Sequence, residues 1–129
     1  MLLPEVHPDQ YRTFFSLPSF IRDAKALGMT DRDEVTMMAE LMVRVDQWPV
    51  VRGCQGLRKM RFALPSRNQG RSGACRVYYA HFPIYGVILL AAIFGKNAKA
   101  DLAQDQKQVL SRLIELIESK LKKKRLKKS

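Results

Sequence analysis

The sequence predicts an α+β domain: a small antiparallel sheet of three to four strands, with two helices before it and one after it. Three observations lead there. Apolar residues recur at helical spacing up to about Val45, alternate with a period of two from Leu57, and return to helical spacing from Leu102. The stretches with a period of two are joined by short turn-type segments, which requires antiparallel neighbours. The chain has 129 residues, 47% of them hydrophobic, enough for one domain with a real core. Residues 1–120 are expected to form that domain, and residues 121–129 a basic tail that is frayed or disordered, or that extends as exposed helix.

Taken in order, Gln10 to Phe15 is short and aromatic, and reads as a strand or an extended lead-in. Pro18 suits a helix start and Gly28 its stop, with Phe20, Ala24 and Leu27 on the apolar side. Thr30 or Asp31 caps a second helix, and Asp33 and Glu34 lie in its first turn, where the helix dipole favours acids. Val35, Met38, Met42 and Val45 are expected on its buried face. Leu57 to Leu64 alternates, placing Lys59 and Arg61 on one face and Met60 and Phe62 on the other. Pro65 to Gly73 is a polar loop, and Cys75 to Phe82 a second strand on which Arg76, Tyr78 and Ala80 share a face. Val87 to Phe94 is apolar on both faces, as a central covered strand would be. The closing helix runs from Leu102 to about Leu121, with Leu102, Val109, Leu113, Leu116 and Ile117 along one side. The helices are expected on one face of the sheet, leaving the other to display Lys59, Arg61 and Arg76.

Charge is the most uneven property of the chain. Gln47 to Ala100 spans 54 residues with nine cations and no carboxylate. Residues 1–46 are net −3, residues 101–119 net −2, and residues 120–129 carry seven bases and no acid, giving +11 in all. Ordinary surfaces mix both signs, so a sheet displaying cations alone attracts polyanions, nucleic acid above all. The plain alternative is a solvated basic face. Arg67 and Arg71 fall in the polar loop, and the tail holds Lys122, Lys123, Lys124 and Arg125; both segments read as nucleic-acid contacts or as ordinary solvated surface. Tyr78, Tyr79 and Phe82 are placed to stack bases or, the more usual role, to pack a core.

RNA brings its own nucleophile, the 2′-hydroxyl, so cleavage needs only proton transfer and charge stabilisation. Arg and Lys supply the second directly, and a Lys among other cations can exchange a proton. Catalysis in this block would have to work without Asp or Glu. His7 and His81 are far apart and the cysteines lack ligand spacing, so no metal and no cofactor is expected. His81 reads as a strand-end packing residue on the side opposite Arg76, and Cys54 and Cys75 as buried small residues. Two cysteines and no secretory apolar segment after Met1 lead to the expectation of a cytoplasmic protein. The longest apolar run, Val87 to Phe94, is too short to span a bilayer.

Three stretches, read together, carry a resemblance. They are Gly56-Leu57-Arg58-Lys59-Met60-Arg61, then Gly70-Arg71-Ser72-Gly73-Ala74-Cys75-Arg76-Val77-Tyr78-Tyr79, then Ile93-Phe94-Gly95-Lys96-Asn97-Ala98-Lys99-Ala100-Asp101-Leu102. Over about residues 50–115 the chain resembles the RelE/ParE superfamily of bacterial toxins, most closely its HigB-like branch. The resemblance implies a RelE-like fold, ribosome-dependent and metal-independent cleavage of mRNA, and inhibition by a cognate antitoxin. It also implies that Lys59, Arg61, Arg76 and Lys96 are the catalytic cations, with Lys59 or Lys96 transferring the proton and Arg61 and Arg76 clamping the phosphate. Arg58, Arg67, Arg71, Tyr78, Asn97, Lys99 and the tail cations Lys122, Lys123, Lys124 and Arg125 are the surrounding candidates for contact with RNA or the ribosome. The family's Glu two residues after the last Lys is Ala98 here, and no Tyr stands near the start of the last helix. The superfamily also contains gyrase poisons, so a non-catalytic binder of gyrase or nucleic acid is the alternative. The expected partners are the antitoxin, the ribosome and mRNA, with no membrane.

Overall fold

A computed structural model describes residues 3–67, 74–98 and 101–128. The elements are β1 (Thr13–Ser16), α1 (Pro18–Ala26), α2 (Asp31–Val43), β2 (Leu57–Phe62), β3 (Cys75–Phe82), β4 (Val87–Phe94) and α3 (Gln104–Lys128). The fold is α+β, as the periodicity predicts: two N-terminal helices, a four-stranded sheet and a C-terminal helix.

Local chemistry fixes the helix ends. Pro18 opens α1, and Gly28 follows it at φ 82°, a left-handed conformation that glycine adopts without steric cost. Thr30 caps α2 in a reciprocal box: its hydroxyl accepts from Asp33 N at 3.1 Å, and the Asp33 carboxylate accepts from Thr30 N at 3.0 Å.

The strand order is β1-β4-β3-β2. The three later strands are antiparallel neighbours, as their short connections require. β1 instead joins the β4 edge in parallel, with Thr13 opposite Val87 and Ser16 opposite Leu90, so the sheet is mixed. Parallel pairing is open to β1 because α1, α2, β2 and β3 intervene before β4, and no tight turn constrains its direction. β4 is the buried strand its composition implies, with β1 on one side and β3 on the other.

Layering differs from the expectation. α1 and α2 cover one face of the sheet, burying Phe20, Met37 and Leu41 against Met60, Phe62, Val77, Tyr79, Ile88 and Leu90. α3 does not join them. It covers the opposite face, packing Leu110 and Ile114 on Leu57, Tyr78, Ala80, Phe82, Leu89 and Ala91. The reason lies in the strands: Tyr78, Ala80 and Phe82 make the Arg76 side of β3 apolar beyond Arg76 itself, so that side also needs cover. Among the described strand residues on this face, Arg61 is an exposed cation and Lys59 and Arg76 are partly accessible.

Two helical faces are rotated from their expected settings. In α2 the buried side is Met37 and Leu41, continuing to Val45, with Met38 and Met42 half-buried and Val35 exposed. In α3 it is Leu110, Ile114, Ile117 and Leu121, while Val109 and Leu116 are exposed. The basic segment takes the second of its two expected forms, an exposed helical extension over 122–127. α3 continues through it to Lys128, Leu121 packs against the second core cluster, and the Arg125 guanidinium lies 6.0 Å from the Tyr85 ring centroid. No helix among the described residues is long and apolar enough to cross a membrane.

Candidate nucleic-acid site

Strand alternation places Lys59 and Arg61 on the α3 side of β2, and antiparallel register sets Arg61 directly opposite Arg76 and Lys59 opposite Tyr78. Arg76 in turn pairs with Phe94 at the end of β4. Three of the four expected catalytic cations thus share one corner of one sheet face. The fourth, Lys96, is exposed in the turn just beyond β4, closed by a hydrogen bond from Ala98 N to Gly95 O. That turn is tied to the site by Arg76, whose Nη2 donates to the Ala98 carbonyl at 2.7 Å.

The site has a centre that the charge count did not anticipate. Asp101 is the first carboxylate after the acid-free stretch, and it folds back into the corner. Its Oδ2 lies 3.4 Å from Lys59 Nζ, its Oδ1 3.6 Å from Arg76 Nη1, and the Tyr78 hydroxyl donates to it. The expectation of a site free of carboxylate is therefore corrected. The block is acid-free in sequence, yet the chain supplies an acid from the segment leading into α3. Two cations and a phenol reaching one carboxylate make an arrangement that fits an oxyanion.

Arg76 is held firmly. Besides the Ala98 carbonyl and Asp101, its guanidinium lies 5.6 Å from the Phe94 ring centroid. Arg61 differs: it is exposed, and among the described residues it has no ion-pair partner.

Several expected contacts are corrected. Tyr78 is buried, its ring edge-on to Phe94 with centroids 5.7 Å apart, so it cannot stack on a base and offers the site only its hydroxyl. Tyr79 and Phe82 are core residues. Burial pushes the Tyr79 phenol up to about 12, and its hydroxyl donates to the Val45 carbonyl. Arg58 belongs to the other face. It follows directly after Leu57 and precedes Lys59 on a pleated strand, and its Nη1 donates to the Trp48 carbonyl at 2.5 Å, so it does not share the corner. Asn97 is exposed in the turn beside Lys96, and Lys122, Lys123, Lys124 and Arg125 are exposed on the last turns of α3. The Arg67 side chain, Arg71 and Lys99 lie outside the described residues.

His81 stands apart on the α1–α2 side, as its parity predicts. Arg12 Nε donates to its Nε2 at 3.2 Å and its Nδ1 is 3.1 Å from Asp46 Oδ1. Arg can only donate, so Nε2 accepts and Nδ1 carries the proton toward Asp46. Both ring nitrogens are used, in a structural role. Cys54 and Cys75 are buried, in separate clusters. Among the described residues no three His, Cys, Asp or Glu side chains gather at one point.

Beside Asp101 lies a cavity of about 400 Å³, with Lys59, Arg52 and Lys107 as its cations and Asp101 as its acid. Arg52 is one of the nine cations of the acid-free stretch, and Lys107 lies outside that stretch, in the first turns of α3. Lys107 donates to the Arg52 carbonyl at 2.9 Å, which links the first turns of α3 to the loop before β2. The detectable signal was the position of Lys107 four residues after Ala103, on the side of α3 that also carries Leu110 and Ile114. No protein-family model matches the chain.

Proposed function

We propose that this protein is a RelE-like toxin of the HigB-like type that cleaves ribosome-bound mRNA in the cytoplasm. The observation that supports it most is the convergence of Lys59 and Arg76 on one carboxylate, with Arg61 next to Arg76 across the β2–β3 ladder. Cations that reach one anion from two strands can reach one phosphate, and Arg is suited to hold it through two parallel hydrogen bonds.

In the proposed reaction the 2′-oxygen attacks phosphorus while the bond from phosphorus to the 5′-oxygen breaks. Lys59 or Lys96, in its neutral amine form, takes the 2′ proton, the ammonium so formed or water gives one to the 5′-oxygen, and the products carry a 2′,3′-cyclic phosphate and a 5′-hydroxyl. Arg61 and Arg76 stabilise the charge that builds on the phosphorane, which is commonly the largest protein contribution. Asp101 holds Lys59 and Arg76 in position until the phosphate takes its place. The expected partners are the ribosome, mRNA and an antitoxin that covers this corner.

The test is induction of the wild type and of Arg76→Ala in bacteria, following growth and mRNA integrity. Growth arrest with fragmented mRNA is expected for the wild type and not for the variant. Wild-type induction that leaves growth and mRNA intact would reject the proposal, and arrest with intact mRNA would favour a non-catalytic target such as gyrase.

A further inference from the structure

We propose that the cavity beside Asp101 is a nucleotide subsite, in which Arg52 and Lys107 bind the phosphate next to the one held by Lys59. This rests on the reading of the neighbouring corner as a phosphate site. Pro49, Val50, Val51 and Leu102 give the cavity an apolar wall, and the cations stand around it. Its volume, about 400 Å³, lies within the range of roughly 300–1,000 Å³ usual for small-ligand sites.

An apolar wall ringed by three cations suits a ligand with a flat, poorly hydrated body and more than one anionic group. An unstacked nucleotide in single-stranded RNA is such a ligand: base against the wall, one phosphate on each side. Lys59 belongs to both the corner and the cavity, so one strand can run through both without a break. Asp101 adds an acceptor on the cavity lining for a ribose hydroxyl or a base amine. Lys107 spends one donor on the Arg52 carbonyl and keeps two for phosphate. The Arg52 side chain is exposed, and its carbonyl, not its guanidinium, holds the loop.

The probes are nucleoside 3′,5′-bisphosphates, the matching 3′-monophosphates and inorganic pyrophosphate, bound to the full chain and followed by amide chemical shifts. For at least one base, the bisphosphate is expected to bind about tenfold more tightly than its monophosphate, shifting Val50, Val51 and Leu102. Arg52→Ala and Lys107→Gln should each remove most of that tenfold advantage, since a charge-assisted contact is worth about that much. Lys107→Gln removes the charge and leaves a neutral amide donor one bond shorter, and an unchanged amide spectrum away from the cavity checks that the loop is kept. Pyrophosphate binding as tightly as every bisphosphate, without shifts at Val50 and Leu102, would overturn the subsite. So would a bisphosphate advantage that survives in both variants. Wild-type protein that fails to cut mRNA would remove the cleavage reading, while these binding outcomes would still decide the subsite.

Discussion

Asp33 is fully buried at the first turn of α2, and its carboxylate accepts from Thr30 N at 3.0 Å, Ser66 N at 3.0 Å and Ser66 Oγ at 2.6 Å. Burial pushes its pKa up, but the bonds to Ser66 and Thr30 outweigh this and hold it below the ordinary 3.8. The stability it contributes is therefore present above that ordinary value and lost as pH falls through the lower, folded one. Asp33→Ala should cost about 3 kcal/mol at neutral pH, with the gap from wild type narrowing as pH drops below about 4, measured by urea unfolding. Asp101 makes the converse case, an acid set among cations. Asp101→Asn keeps an acceptor for the Tyr78 hydroxyl and removes a charge from the corner, so a short single-stranded RNA should bind about three- to tenfold more tightly at low salt, by anisotropy. Weaker binding would mean that Asp101 organises the clamp more than it competes with phosphate. Residue parity was legible in the sequence: Lys59 and Arg61 opposite Met60 and Phe62, and His81 opposite Arg76. The same parity also excluded Arg58 from the corner, a signal the motif reading passed over. Asp101 falls in the third matched stretch, but its place in the site was not legible, because only the fold brings the segment before α3 to Lys59, Arg76 and Tyr78.

At the scale of elements, strands were easier to read than helix faces. A strand has two faces, so alternation assigns every side chain once the strand is found. A helix has a continuous circumference, and α3 offers several apolar stripes; Val109 and Leu116 were as good in sequence as Leu110 and Ile114. The sheet's shape chose between them. The last turns of α3 were obscured for another reason: seven cations in ten residues suggest solvation, yet Leu121 falls in phase with Leu110, Ile114 and Ile117 and extends the buried stripe. Ending the chain after Leu126 should leave the melting temperature unchanged, whereas ending it after Lys120 removes Leu121 and should cost about 1 kcal/mol. Both truncations should lower the salt dependence of RNA binding, the shorter chain more. Equal melting temperatures for all three chains would mean that Leu121 packing contributes nothing.

Across the whole molecule, sheet and helices form three layers where two were expected, because both faces of β3 and β4 are apolar. The layers divide the polar groups between them, with Arg12 and Arg58 on the α1–α2 side and Asp101 among the cations on the other. His81 and the buried acid Asp33 belong to the α1–α2 side, while Lys59, Arg61 and Arg76 occupy the other face at the end that α3 leaves uncovered. The acid-free block was therefore a sound guide to where cations gather and a poor guide to what joins them. The proposed cleavage requires this corner to stabilise a phosphorane, and Arg61 is the residue that reports on that step. Arg61 is exposed and has no ion-pair partner among the described residues, so its loss reads on chemistry more than on folding. The measurement is single-turnover cleavage of ribosome-bound mRNA by the wild type and Arg61→Ala, with melting temperatures alongside. A fall in rate of about 10²-fold at unchanged melting temperature is the expected result. An unchanged rate, or a wild type that cuts an mRNA with deoxyribose at the scissile position, would contradict it.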